Sequence, residues 1–131
     1  MARSVDPTKA PNYIIKAEEL LKTANDSLKS KRYNSAVTNA VHSSINALDA
    51  LTTSFKGKRG SDDHTEVLSL VQGILPPSQY EEIRKQFASL ISKKNASEYQ
   101  PDLMNEGDAS EAIKLAERIL SKVKAKLNPQ A

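Results

Sequence analysis

The chain has 131 residues, no cysteine, and 19 Lys and Arg residues against 16 Asp and Glu residues, for a net charge of +3. This length is most simply one domain, and the lack of cysteine excludes a disulfide framework and thiolate metal sites. No apolar run approaches the roughly 18 residues of a membrane span, and the N-terminus lacks the hydrophobic segment of a secretory signal. We therefore expect a cytoplasmic protein, whose mildly basic charge is compatible with a polyanionic partner but well below that of a dedicated nucleic-acid binder.

Apolar residues recur with a period near 3.6 along most of the chain, which predicts an all-α protein. The first helix is predicted over about residues 12–30, after a flexible lead-in at residues 1–11. The second, over about residues 33–55, carries two adjacent stripes. The larger side chains are Val37, Val41, Ser44, Leu48, Leu51 and Phe55, and the smaller ones are Ala36, Ala40, Ser43, Ala47 and Ala50. Small residues at this spacing let another helix approach closely, within one chain or between two, and they predict that the second helix is central.

The rest of the chain reads as three further helices. "KGKRGSDD" reads as an exposed loop, followed by a short helix over about residues 64–72 that Asp63 caps and Gly73 ends. A capping box of Ser78 and Glu81 predicts the start of the fourth helix. The polar stretch "SKKNASEYQPD", residues 92–102, then separates it from a fifth helix capped by Asp108 or Ser110.

The simplest assembly of these elements is an up-and-down four-helix bundle with one additional short helix. It would form a single domain over residues 12–127, with residues 128–131 as a C-terminal tail.

Motifs for catalysis or metal binding are missing from the sequence. It has no glycine-rich phosphate loop, H-E-x-x-H, nucleophile elbow or EF-hand loop. The two histidines, His42 and His64, do not form a close zinc-binding pattern with Asp49, Asp62 or Asp63. We therefore expect neither a metal nor a cofactor.

One face of the second helix is polar and is a candidate recognition face. It carries Asn39, His42, Asn46 and Asp49 at helical spacing. The alternative is a solvated or internally hydrogen-bonded face without a ligand, which is the commoner situation for a mid-helix histidine.

Four stretches, taken in order, resemble the HEPN (higher eukaryotes and prokaryotes nucleotide-binding) domain. "YNSAVTNAVHSSINALDAL" is similar to the alanine-rich central helix of that family, and "HTEVLSLV" to its short H-x-x-x-L-x-x-L segment. "KKNASEYQPD" followed by "SEAIKLAERIL" resembles the stretch in which a short motif precedes the last helix. The likeness extends over about residues 12–126, and it implies a helical bundle that commonly homodimerises.

Active HEPN proteins are metal-independent ribonucleases, often toxins paired with a nucleotidyltransferase-like antitoxin. Their motif is an arginine, usually followed by a polar residue, a few variable residues and a histidine, and the dimer brings two copies of the motif together around RNA. The arginine stabilises phosphate charge and the histidine serves the cleavage chemistry at the 2′-hydroxyl.

On this resemblance, Lys94 falls at the arginine, Asn95 at the polar position and Tyr99 at the histidine, with four residues between Lys94 and Tyr99. Both key identities depart from the motif. Lysine keeps the charge but loses the bidentate fork, and tyrosine is a poor general base at neutral pH. The tyrosine ring can still stack on a base, and Lys93 can assist electrostatically. These residues fit binding better than cleavage.

The leading hypothesis is therefore a non-catalytic HEPN-like homodimer that binds a nucleotide, RNA or a protein partner through Lys93, Lys94, Asn95 and Tyr99. It would act beside a nucleotidyltransferase-like protein in a toxin–antitoxin-type system. One alternative is a divergent metal-independent ribonuclease that uses Lys94 and Tyr99. The other is a purely structural protein-interaction bundle.

Overall fold

The computed structural model describes residues 2–60 and 64–128. Five α-helices account for most of this part of the chain: α1 (Ala10–Lys29), α2 (Tyr33–Lys56), α3 (His64–Val71), α4 (Pro77–Tyr99) and α5 (Glu106–Leu127). Four of them are long and α3 has 8 residues. The prediction of an all-α bundle with one additional short helix is confirmed.

The N-terminal segment folds back onto the loop that follows α2. Two short strands, β1 (Arg3–Ser4) and β2 (Lys58–Arg59), pair antiparallel, and a 3-10 helix (Pro7–Lys9) leads into α1. The part of "KGKRGSDD" that the structure describes is thus not simply an exposed loop, since it contains β2 and ends in a buried Gly60. Residues 61–63, which include the predicted Asp63 cap, lie outside the described residues.

Helix α2 is central and packs against α1, α3, α4 and α5. Its stripe of small residues is fully buried, and Ser43 Oγ on this stripe donates a 2.7 Å hydrogen bond to the backbone oxygen of Ala17 in α1. A side chain of one helix can reach the backbone of another only where the two axes lie close together. The stripe therefore serves packing between α1 and α2 within one chain.

The large stripe of α2 forms the centre of the core. Val37, Val41, Leu48 and Leu51 are fully buried and belong to one cluster with apolar side chains of α4 and α5. Phe55 departs from the prediction, because it is the penultimate residue of α2 and half of its surface is exposed.

Two predicted helix caps are wrong. The fourth helix begins at Pro77 with Pro76 as N-cap, and no side chain caps it, so Ser78 and Glu81 form no capping box. Proline suits the first helical position and forces an extended residue before it, so the Pro76–Pro77 pair starts the helix. The N-cap of α5 is Asn105, and not Asp108 or Ser110 as predicted, so the helix begins at Glu106. Asn105 Oδ1 accepts from the Asp108 N–H at 2.9 Å, and Asp108 Oδ2 accepts from the Asn105 N–H at 3.0 Å.

This difference predicts unequal effects of two cap substitutions. Asn105→Ala should lower the free energy of unfolding by about 1 kcal/mol, since it leaves the Asp108 N–H without its acceptor. Ser78→Ala should change it by less than about 0.5 kcal/mol, because Ser78 is exposed in the first turn of α4. Urea unfolding of both variants measures the difference. An equal loss in both would contradict the observed helix starts.

Candidate functional site

The residues at the HEPN motif positions lie in the last two turns of α4. The stretch predicted to separate two helices is instead helical through Tyr99, and the chain turns extended at Gln100 (φ −104°, ψ 149°). Gln100 precedes Pro101, and the residue before a proline disfavours helical angles. The apolar stripe stops earlier, because these last turns extend beyond the buried core. The end of the fourth helix was therefore predicted too early.

Lys94 occupies the core-facing side of α4. It follows Ile83, Phe87 and Leu90 at helical spacing, and its side chain is only 12% exposed. Its Nζ lies 2.8 Å from Glu98 Oε2, one turn further along α4. The aliphatic stem of Lys94 thus covers the end of the core, and its charge already has a carboxylate partner within the chain.

Lys93 links α4 to α5. Its Nζ lies 3.1 Å from Glu111 Oε2 and 3.8 Å from Asp108 Oδ1, and both carboxylates belong to the first two turns of α5. Carboxylates are favourable at the N-terminal end of a helix, and Lys93 bridges them to the neighbouring helix. The two lysines predicted to attract a phosphate are both engaged in ion pairs.

Asn95 and Tyr99 share a different face of α4 from Lys94. Positions four residues apart lie on one side of a helix, whereas Lys94 and Tyr99 are about 140° apart around the axis. Asn95 lines a groove of about 380 Å³ between α3 and α4, whose floor includes Leu68 and Phe87. Tyr99 lies at the end of α4, and 75% of its surface is exposed. Within one chain, the side chains at the arginine and histidine positions therefore do not converge.

The polar face of α2 is largely satisfied by its own backbone. The side-chain amides of Asn39 and Asn46 donate to the oxygens of Ser35 and His42, at 2.8 and 2.9 Å. His42 is half-buried. These contacts match the internally hydrogen-bonded alternative better than an open recognition face.

Asp49, the fourth member of this face, is buried beneath the segment that follows α2. Its Oδ1 accepts the Gly60 N–H at 3.2 Å. Burial raises the pKa of Asp49 to about 6, although the Gly60 N–H and the charge of Arg59 act in the opposite direction. Asp49 thus anchors residues 57–60 to α2 and is not open to a ligand.

The described residues contain no group of three or more His, Cys, Asp or Glu side chains placed to hold a metal ion. The side chain of His64, together with Asp62 and Asp63, lies outside the described part of the structure.

The stretch around the motif positions is rich in acidic residues, which the motif comparison alone does not indicate. Residues 92–111 contain two lysines and five Asp or Glu residues, so this stretch is negative in a chain that is positive overall. The pairing of Lys94 with Glu98 has a sequence signal, since opposite charges four residues apart meet on a helix. The pairing of Lys93 with Glu111 has none, because it depends on how α4 and α5 pack.

Comparisons with known proteins agree with this fold. A family model of the HEPN domain matches residues 10–126. Among solved structures, the protein TT1696 from Thermus thermophilus is similar with a TM-score of 0.74 and 22% identity, over 90% of this chain and 98% of that chain. ST0689, described as an archaeal HEPN homologue, is similar with a TM-score of 0.70 and 24% identity, over 90% and 97%.

The comparison with curated proteins found no match. No helix in the described part of the chain is long and apolar enough to cross a membrane. The family model spans nearly the whole domain predicted from the sequence, and α1 to α5 lie within it or end one residue beyond it. The chain belongs to the HEPN domain family.

Proposed function

We propose that this chain is a non-catalytic HEPN domain that acts as a homodimer and binds a partner protein through its acidic end. The acidic end comprises the last two residues of α4, the loop to α5 and the first residue of α5, residues 98–106. The observation that carries the proposal is the ion pair between Lys94, the residue at the position of the motif arginine, and Glu98. A nucleotidyltransferase-like protein, encoded beside it as in toxin–antitoxin systems, is the partner that the family suggests.

Cleavage chemistry is poorly supported by this arrangement. A phosphate would have to compete with Glu98 for Lys94 and would lack the bidentate contact of an arginine. Tyrosine, which stands at the histidine position, is a poor general base near neutral pH. His42 does not replace the missing histidine, because it belongs to α2 and the motif positions belong to α4. Binding without catalysis therefore fits these residues better.

The chemistry of the acidic end favours a protein over a nucleic acid. Tyr99 and Leu103 are large side chains with 75% and 81% of their surface exposed. Asp102 and Glu106 lie on either side of Leu103 in sequence and would repel a polyanion. Exposed aromatic and aliphatic groups ringed by charge are typical of protein interfaces, in which tyrosine is enriched.

The first experiment tests catalysis and RNA binding. Incubating the purified protein with mixed RNA should give no cleavage above that of a Lys94→Ala/Tyr99→Phe variant, and fluorescence anisotropy should show no RNA binding that depends on Tyr99. Cleavage that is lost in Tyr99→Phe would favour the ribonuclease alternative. RNA binding lost in the same variant would replace the protein partner with RNA.

A second experiment tests the acidic end as an interface. Sedimentation equilibrium should show a homodimer, and co-purification with the nucleotidyltransferase-like neighbour should give a complex. Tyr99→Ser combined with Leu103→Ser should weaken the complex with the partner protein about tenfold or more. The variant Ser69→Asp, exposed on α3, is the matched control and should leave both unchanged. A monomer that binds no partner protein would contradict the proposal.

A further inference from the structure

A second exposed apolar surface lies at the opposite end of the bundle. A groove of about 590 Å³ opens where the start of α1 meets the ends of α2 and α5. We call it the basic groove. Its aliphatic floor is formed by Pro7, Pro11, Ile14, Ile15 and Leu127, and Lys124 lies at its side. Because α5 has 22 residues and leads from the acidic end to this groove, about 33 Å of helix separates the two surfaces.

Positive charge is concentrated around this groove. The lining residues and their immediate neighbours in the chain include four lysines, Lys9, Lys16, Lys124 and Lys126, and one acidic residue, Asp6. The whole chain has a net charge of only +3, so much of the remaining surface is neutral or acidic. A local excess of this size produces a positive potential that draws a negatively charged partner.

Two large apolar side chains lie exposed beside this charge. Ile15 is 55% exposed in the groove, and Phe55, next to the lining residue Ser54, is 50% exposed. The ammonium group of Lys126 lies 5.6 Å from the centre of the Phe55 ring, and Lys124 Nζ lies 3.3 Å from Glu18 Oε2. An apolar floor with a basic rim is the complement of a segment that is apolar on one side and acidic on the other.

We propose that the basic groove binds a short acidic segment of a partner protein, which inserts apolar side chains against Ile15 and Leu127. The floor selects apolar anchors and the lysine rim selects acidic flanks. This surface lies away from Tyr99, so the inference does not depend on the function proposed for the acidic end.

Charge and lining weigh against two other occupants. A symmetric dimer through this face would bring the same lysines of two copies together, and like charges across an interface are unfavourable. A nucleic acid would meet an aliphatic floor, since the described residues that line the groove include no aromatic ring, and the Phe55 ring beside it already has the Lys126 ammonium group near it.

The test uses synthetic peptides with the full-length protein. The probe is a fluorescein-labelled amphipathic helix of about 14 residues, with leucines on one face and glutamates on the other. One control peptide has the same composition in scrambled order, and a second has lysine in place of glutamate. By fluorescence anisotropy, the acidic amphipathic peptide should bind at least about tenfold more tightly than either control, and its affinity should fall as salt rises.

Protein variants locate the binding. Ile15→Asp should weaken the acidic peptide about tenfold, and Lys9→Glu, which changes the rim without touching the floor, should weaken it about threefold. Ser69→Asp adds a negative charge on exposed α3 and should have no effect. Circular dichroism at the peptide-binding temperature confirms that each variant is folded.

Four outcomes would overturn the proposal. The first is equal binding of the scrambled peptide, and the second is binding that Ile15→Asp leaves unchanged. The third is tighter binding of a single-stranded oligonucleotide or of phosphatidylserine vesicles than of the acidic peptide. The fourth is self-association of the protein that Ile15→Asp abolishes, which would make a second copy the occupant.

Discussion

Replacing Ala17 by leucine should lower the free energy of unfolding by about 3 kcal/mol, because the added side chain has no space between α1 and α2. Ala17 is fully buried, and its backbone oxygen accepts the 2.7 Å hydrogen bond from Ser43 Oγ. Three extra carbon atoms at this point must push the two helices apart, which breaks that bond and loosens the packing around α2. For a domain of this size, we expect a drop in Tm of roughly 10 °C.

Urea and thermal unfolding of Ala17→Leu measure this effect against a matched control. Ala125→Leu makes the same change at an exposed position of α5, and alanine and leucine have similar helix propensities. The control should stay within about 0.5 kcal/mol of the wild type. If Ala17→Leu were equally harmless, the close approach of α1 and α2 would be wrong.

The helical fold could be predicted from the sequence because one physical signal repeats along the whole chain. Apolar spacing gave the boundaries of α1, α2 and α3 to within two residues, and the small-residue stripe of α2 predicted its central place. The stripe could not say whether its neighbour was α1 or another chain, since small residues permit both. Only the contact between Ser43 and Ala17 decides this.

The predicted start and end of α4 are wrong where apolar spacing and the backbone preference of proline disagree. The turns of α4 after Ile91 carry mostly polar residues, so the apolar spacing predicted an end of the helix that is too early. No proline or glycine lies between Ile91 and Pro101, and the helix continues to Tyr99. Likewise, the Ser78–Glu81 spacing indicated a cap that the preceding prolines had already made unnecessary. At both positions, the backbone restriction of proline is the stronger signal.

The candidate site could be located from the sequence, but its electrostatics could not. Family resemblance and spacing brought attention to Lys94 and Tyr99, whereas the ion pair from Lys93 to Glu111 requires the packed arrangement of two helices. Asp49 is a similar case. Its spacing put it on a polar face, and its burial follows from the return of residues 57–60 over α2, which no periodicity indicates.

The buried carboxyl of Asp49 makes stability depend on pH in an unusual direction. Its pKa is about 6 in the folded protein, against 3.8 as its ordinary value, because burial disfavours the charged form. Between these two values the folded chain holds a proton that the unfolded chain has released. Stability therefore falls as pH rises from about 4 to about 6, whereas a carboxylate in a favourable ion pair would have the opposite effect. The loss attributable to Asp49 is about 3 kcal/mol and is complete above pH 6.

Asp49→Asn should remove this loss. The amide oxygen of asparagine can still accept the Gly60 N–H, and the side chain has no charge at any pH. Above pH 6, we therefore expect the variant to be more stable than the wild type by up to about 3 kcal/mol, with the difference vanishing below about pH 4. Urea unfolding of both proteins between pH 3.5 and about 8 measures the difference, and subtraction cancels the titration of the other carboxylates.

Two controls separate the charge of Asp49 from its hydrogen bond. Asp49→Ala removes both, so it should leave the Gly60 N–H without this acceptor and destabilise the protein at pH 4. At the same pH, Asp49→Asn should leave the stability unchanged. Tyr13 offers a spectroscopic readout, because burial and then the charge of Asp49 raise the pKa of its hydroxyl. Asp49→Asn should lower that pKa. A variant less stable than the wild type at pH 7 would mean that the ionised carboxylate is favourable where it lies, and that its partners outweigh the cost of its burial.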